Sequence, residues 1–243
     1  MFRYNVKNDI KKIAKSRKNL KWIYDQMPET VGCLDNISKE TGGCESWCCA
    51  EQFPSVWYVE FLYSWNYVVH NWNDQKILSL IEKSLRNYLF PKPERSCVFW
   101  DKDSKMCSQH NYRGYNCRIY GIEPEEDFNK RLVKLKVIYP NIKNQCNLVS
   151  TTNGEKVEEK DIKFWWDHLK NTEASIGVLY KDMHDGHGGS YRSYHDHILL
   201  HLFDDATMEL LSNTRTDGDP MQKETAIRRM LLGLQNFLNR KEI

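Results

Sequence analysis

Eight cysteines occur in this 243-residue chain, and six of them fall into two groups. Cys44, Cys48 and Cys49 form the first, as Cys44-x3-Cys48-Cys49. The second is Cys97-x9-Cys107-x9-Cys117-Arg118. Thiolates are soft ligands that select zinc, copper(I) or iron–sulfur clusters over hard cations. The short step from Cys44 to Cys48 lets two thiolates reach one metal, and the adjacent pair Cys48-Cys49 cannot bridge to itself without severe strain. A single zinc ion takes four ligands, so six thiols leave room for two zinc ions, for a [4Fe–4S] cluster with spare thiols, or for a cluster beside a reactive cysteine. The nearby aromatics Trp47, Trp57, Trp65, Phe99 and Trp100 would shield a cluster from water. Metal binding is therefore the chemistry expected, with a [4Fe–4S] cluster preferred and Zn2+ as the alternative. Plain burial of thiols is a weaker reading, because cysteines on polar loops gain little from packing.

These residues resemble the YkgJ-type cysteine-cluster family, a zinc- or iron-chelating group. Its signature is a C-x3-CC element, a later C-x-F/L element, a further cysteine, and an R-P-x-x-C-R element. The matching residues are Cys44, Cys48 and Cys49, then Cys97 with Phe99, then Cys107, then Arg113-Gly114-Tyr115-Asn116-Cys117-Arg118. Gly114 stands where that family usually has Pro, a change that loosens the turn without touching a ligand. His110 stands where members often carry an apolar or aromatic residue. The resemblance spans residues 40–125. It implies metal or iron–sulfur binding and leaves the reaction open; the cysteine region is also similar to that of the flagellin lysine methylase. It further implies Cys146 as an additional ligand, matching a C-terminal cysteine of many members. No Gly-rich fingerprint follows a strand, so a conventional nucleotide or S-adenosylmethionine fold is not expected.

Other residues carry weaker signals. Cys33 fits no element and reads as a buried or spare thiol. His110 lies at Cys107-x2-His, a zinc-like spacing. Arg113, Arg118 and Tyr120 sit beside the cysteines, where a guanidinium could anchor an anionic substrate or cofactor, or neutralise a thiolate cluster. A loop with His184, Asp185, Gly186 and His187 precedes His195, Asp196, His197 and His201. His197 and His201 are four apart, on one helix face, which suits metal or substrate contact. No Glu completes an H-E-x-x-H arrangement, which disfavours a zinc protease.

The elements that must position these residues read as mainly helical, an irregular fold whose cysteine-bearing loops a metal cluster would staple. Asn8 or Asp9 is placed to cap a helix through Ile10, Ile13, Ala14 and Leu20 to about Tyr24. The stretch after Pro54 is apolar at three- and four-residue spacing (Val56, Val59, Phe61, Leu62, Trp65, Val69). It predicts a helix, with strand left open by its β-branched and aromatic content. Asp74 is expected to cap the next helix, with Ile77, Leu78, Ile81, Leu85 and Leu89 on one face. Residues 96–122 predict a loop or short hairpin. Pro124 with Glu125 and Glu126 starts another helix. A helix over 160–171 and two closing helices, roughly Tyr194–Asn213 and Asp219–Arg240, complete the chain. Two regions are expected, 1–150 with the cysteine cluster and 151–243 as helices packed upon it, forming one unit.

Composition bounds the rest. The net charge is +2, so no global basic field points to nucleic acid, although Lys11, Lys12, Lys15, Arg17, Lys18 and Lys21 form a local basic face. The charged N-terminus lacks the apolar run of a signal peptide, and no stretch is long and apolar enough to span a bilayer. A cytoplasmic location is the reading, and in a reducing compartment eight cysteines point to metal or catalysis rather than disulfides. Two functions remain. The preferred one is an enzyme whose cluster binds a small or macromolecular substrate and supports group transfer or redox chemistry. The other is a zinc or cluster protein whose metal only orders a partner-binding surface.

Overall fold

A computed structural model describes residues 10–28, 49, 53–90, 96–104, 106–120, 122, 124–138, 140, 157–181 and 191–239. Of these, 75% are helical, so the fold is mainly α. The elements run α1 (Ile10–Asp25), β1 (Ser55–Trp57), α2 (Tyr58–Asn71), α3 (Asp74–Leu89), β2 (Trp100–Asp101) and β3 (Met106–Cys107). A 3-10 turn (His110–Tyr112) follows, then α4 (Tyr115–Ile119), α5 (Glu125–Ile138), α6 (Glu159–Lys181) and β4 (Tyr191–Ser193). The last three are α7 (Tyr194–Leu202), α8 (Asp205–Asp217) and α9 (Pro220–Asn239).

The predicted helix after Pro54 exists, preceded by a three-residue strand. That strand pairs antiparallel with β4, Val56 opposite Arg192. Each of these strands runs directly into a helix, so the pair sets α2 beside α7. Val56, Val59, Phe61 and Val68 on this side and Ile198 and Leu199 on the other are buried in one cluster. The same cluster takes in Leu20 and Ile23 of α1, Leu169 of α6, Leu211 of α8 and Leu234 of α9. Removing that much apolar surface from water is the main force holding the helices together.

Two expectations need correction. Asn73, not Asp74, caps α3: its side chain accepts the Lys76 N–H, and Asp74 is the first helical residue. The expected helix Tyr194–Asn213 is two helices. Phe203 is extended, and the Asp204 side chain accepts the Thr207 N–H to start α8. A carboxylate that satisfies an orphan N–H at a helix start outweighs the apolar periodicity running across the break. Among the described residues no helix is long and apolar enough to cross a membrane.

Candidate functional site

The second cysteine group is built on a hairpin held against α3. The Cys97 carbonyl accepts the Trp100 N–H at 3.0 Å, and the Phe99 carbonyl accepts the Ser108 N–H at 2.8 Å. Trp100 faces Cys107 across the β2–β3 pair. From α3, Asn87 donates to the Ser96 carbonyl at 2.8 Å and Lys83 Nζ to the Trp100 carbonyl at 2.6 Å. Phe99, 1% exposed, plugs the hairpin into the core, its ring centre 5.0 Å from that of Tyr194 and the two rings near perpendicular. Cys49 is joined to this unit through main chain: Cys97 N–H donates to the Cys49 carbonyl at 2.7 Å.

The electrostatics draw the thiols together. Burial pushes the Lys83 ammonium below its ordinary pKa, while the thiols of Cys97, Cys49 and Cys107 and the Asp101 carboxylate pull it back up. One lysine thus lies in the field of three cysteines from three places in the chain. Cys117 sits on the short helix α4, half-buried, and acts on Tyr194 together with Cys97. Burial raises the Tyr194 hydroxyl well above its usual pKa, and Cys117 adds to the effect. None of these four cysteines is in a disulfide. Among the described residues no three His, Cys, Asp or Glu side chains gather as a metal-ligand group. Cys33, Cys44, Cys48 and Cys146 lie outside the described residues, as do His184 and His187.

A buried glutamate fixes the Arg113–Arg118 motif in place. Glu60, 1% exposed, accepts Tyr24 Oη–H at 2.7 Å and Tyr115 N–H at 2.5 Å on one oxygen. Its other oxygen takes Trp57 N–H at 2.8 Å. Burial raises the Glu60 pKa, and the three donors oppose the rise. The sequence signal was a lone acid in the apolar run of α2, a residue that is almost never buried unless its oxygens are engaged. Beside it, Gly114 N–H donates to Tyr194 Oη at 2.8 Å. A Cβ on residue 114 would stand 2.6 Å from Val56 Cγ1 and 3.1 Å from both Glu60 Oε1 and Tyr194 Oη. Gly114 is therefore a close-packing residue between β1, α2 and α7 rather than a loosened turn.

The arginines serve this architecture. Arg118 Nε donates to the Arg113 carbonyl at 2.9 Å and Nη2 to the Asn111 carbonyl at 2.6 Å. Its guanidinium lies 4.1 Å from the centre of the Tyr24 ring. Arg113, 7% exposed, hydrogen bonds through Nη1 to His110 Nε2. Burial and that guanidinium lower the His110 pKa to about 4, so the imidazole is neutral at physiological pH.

The histidines of α7 pack in the core. His197 Nε2 contacts the Val56 carbonyl at 2.9 Å, and His201 Nδ1 meets Tyr58 Oη at 3.1 Å. Both rings lie 5.3 Å from that of Phe61, His197 stacked and His201 edge-on. The four-residue spacing seen in the sequence places them on one face, and that face meets α2. His195 approaches Ser193 Oγ at 3.2 Å, while that hydroxyl donates to Asp196 Oδ2 at 2.6 Å and accepts the Asp196 N–H. The serine thus caps α7, and its proton is held by the carboxylate and not passed to imidazole, unlike a hydrolase nucleophile.

No family model matches the chain, and neither a curated protein nor a solved structure matches it.

Proposed function

We propose that this chain is a metalloprotein of the cysteine-cluster kind, its thiols holding a [4Fe–4S] cluster in an enzyme of a reducing, cytoplasmic compartment. The observation that carries the reading is the main-chain bond from Cys97 to Cys49 at the foot of the hairpin whose Trp100 faces Cys107 and, through its carbonyl, accepts from Lys83 Nζ. The donor chemistry fits such a group: soft thiols with one ammonium beside them to offset anionic charge. Trp100 Nε1 is consistent with it as well. Among the described residues that buried N–H has no hydrogen-bond partner, and it belongs to the residue paired with Cys107 and bonded to Cys97. Buried donors are nearly always satisfied, and a thiolate or sulfide sulfur is an acceptor. Cys44, Cys48 and Cys146 are the proposed source of further ligands, as the family resemblance implies. A bound cluster would supply Lewis-acid or one-electron chemistry. The chain's own residues set its surroundings: Phe99 and Trp100 as apolar cover and Lys83 as a fixed cation.

The test is anaerobic purification, with iron and acid-labile sulfide assayed beside a visible spectrum. About four iron and four sulfide per chain are expected for a brown protein. Cys97→Ser is expected to lower iron content and Cys33→Ser to leave it unchanged. Colourless protein with stoichiometric zinc would replace the cluster by a zinc site, and protein with neither metal would end the metal reading.

A further inference from the structure

A cleft of about 620 Å³ opens between α3 and the β2–β3 hairpin. Its size is that of a small-molecule site. Lys76, Lys83 and Lys102 line it, with Asp101 as the one acidic residue among the described residues. Three ammoniums less one carboxylate leave two positive charges. The carboxylate is moreover committed to its own turn. Asp101 Oδ1 accepts the Asp103 N–H at 3.0 Å, the Ser104 N–H at 2.7 Å and the Ser104 hydroxyl at 2.9 Å, which holds its pKa down.

The lysines are placed, not merely present. Lys76 Nζ lies 4.0 Å from the centre of the Trp72 ring and Lys83 Nζ 5.8 Å from that of Trp100. An ammonium seated on an indole face has shed water on that side, so an incoming anion displaces less. Lys83 is further held by its bond to the Trp100 carbonyl at 2.6 Å. The hydroxyls of Ser79 and Ser96 also line the cleft as neutral donors, and among the described residues no arginine does. Lysine meets phosphate as a point charge, whereas paired recognition of a carboxylate favours the arginine fork. Trp72, Trp100, Leu80 and Val98 supply its apolar lining, and these suit a flat apolar group.

We propose that this cleft binds a small phosphate monoester, the dianionic head between Lys76, Lys83 and Lys102 and an apolar or aromatic body against the tryptophans. The proposal goes beyond the metal reading and does not depend on what the cysteines hold. Calorimetric titration of the full chain as isolated tests it, with phenyl phosphate, inorganic phosphate and benzoate as probes. Phenyl phosphate is expected to bind more tightly than the other two. Raising the salt is expected to weaken it, because Lys76 and Lys102 are exposed. The same exposure lets Lys76→Gln/Lys102→Gln be made without disturbing the core, and circular dichroism checks that it folds. That double variant is expected to lose about ten-fold in affinity. Lys134→Gln/Lys136→Gln, on exposed positions of α5, is expected to lose none. Equal binding of benzoate would overturn the phosphate assignment. Inorganic phosphate binding as tightly as phenyl phosphate would overturn the apolar subsite. Unchanged affinity in a folded Lys76→Gln/Lys102→Gln protein would place any phosphate site elsewhere.

Discussion

Gly114 gives the sharpest test of the packing around the Arg113–Arg118 motif. The backbone by itself would accept proline there. Gly114 has φ of −72° and Arg113 before it is extended, with φ of −65° and ψ of 149°, which are the conformations that proline and its predecessor adopt. On backbone grounds alone, Gly114→Pro would stabilise the protein by about 0.4–1 kcal/mol, through a more restricted unfolded chain. The side chains reverse the sign. A Cβ would meet Val56 Cγ1 at 2.6 Å, and Val56 is 0% exposed in the β1–β4 pair with no space to retreat. Overpacking of this kind costs about 1–3 kcal/mol. Proline also removes the N–H that Tyr194 Oη accepts at 2.8 Å, a further loss of about 1 kcal/mol, since Ser64 Oγ remains near that hydroxyl. Gly114→Ala is thus expected to cost about 1–3 kcal/mol and Gly114→Pro, net of its backbone gain, about 1–4. Urea unfolding measures this as a lower midpoint with an unchanged slope. The clash has one principal partner, so Gly114→Ala is expected to cost less in a Val56→Ala background than in the native one. A Gly114→Pro protein as stable as the parent, or more so, would refute the close approach on which this rests.

Two further outcomes follow from buried titratable groups. His201 is fully buried and its pKa is lowered to about 4, from 6.5, by that burial. Its folded pKa lies below the unfolded one, so its contribution is intact above pH 6.5 and is lost as pH falls from there towards about 4. The loss amounts to about 3 kcal/mol, and His201→Gln is expected to reduce the slope of that part of the urea-midpoint profile, His110 supplying a similar share. If the variant keeps the native slope between pH 6.5 and 4.5, another group is responsible. Glu60 runs the opposite way. Its folded pKa is raised from 4.5, chiefly by burial, so its contribution is largest below the unfolded value and declines as pH rises through the folded one. Glu60→Gln sets an amide N–H against a backbone or Tyr24 donor and is expected to cost about 1–3 kcal/mol at neutral pH. The gap to the parent widens at pH 4.5, and a gap that narrows there would contradict the raised pKa.

Most of the helices were legible because their apolar residues recur every three or four positions and their starts carry caps. The α2 face with Phe61 and Trp65 and the α3 face with Ile81 and Leu85 lie in the core as that spacing predicts. The break at Phe203–Asp204 was hidden because His-Ile-Leu-Leu-His-Leu-Phe stays apolar straight through it, and only the Asp204 side chain decides. Cysteine spacing drew attention to Cys97 and Cys107, which share a hairpin. It could not single out Lys83, whose closeness to them depends on α3 crossing that hairpin. The same limit applies to His197 and His201. Four-residue spacing shows a shared face, whereas the Val56 carbonyl, Tyr58 and Phe61 that turn it into core come from far away in sequence. Glu60 stood out as an acid among apolar neighbours, but its three donors come from α1, β1 and the start of α4.

The described part of the cysteine unit is held by contacts that require no metal. Asn87 and Lys83 clamp the hairpin from α3, Phe99 inserts into the core, and Glu60 with Tyr194 fixes the loop leading to Cys117. A small domain that relies on its metal to fold has no comparable set of outside supports. Here Cys97, Cys107 and Cys117 stand on frames built by other contacts, and a main-chain bond joins Cys97 to Cys49. If the thiols hold a metal group as proposed, such a frame would fix its surroundings, with Lys83 held to Trp100 by the same scaffold. Lys83 also lines the lysine cleft, so a ligand seated there and a group held by the thiols would share one cation as their common wall.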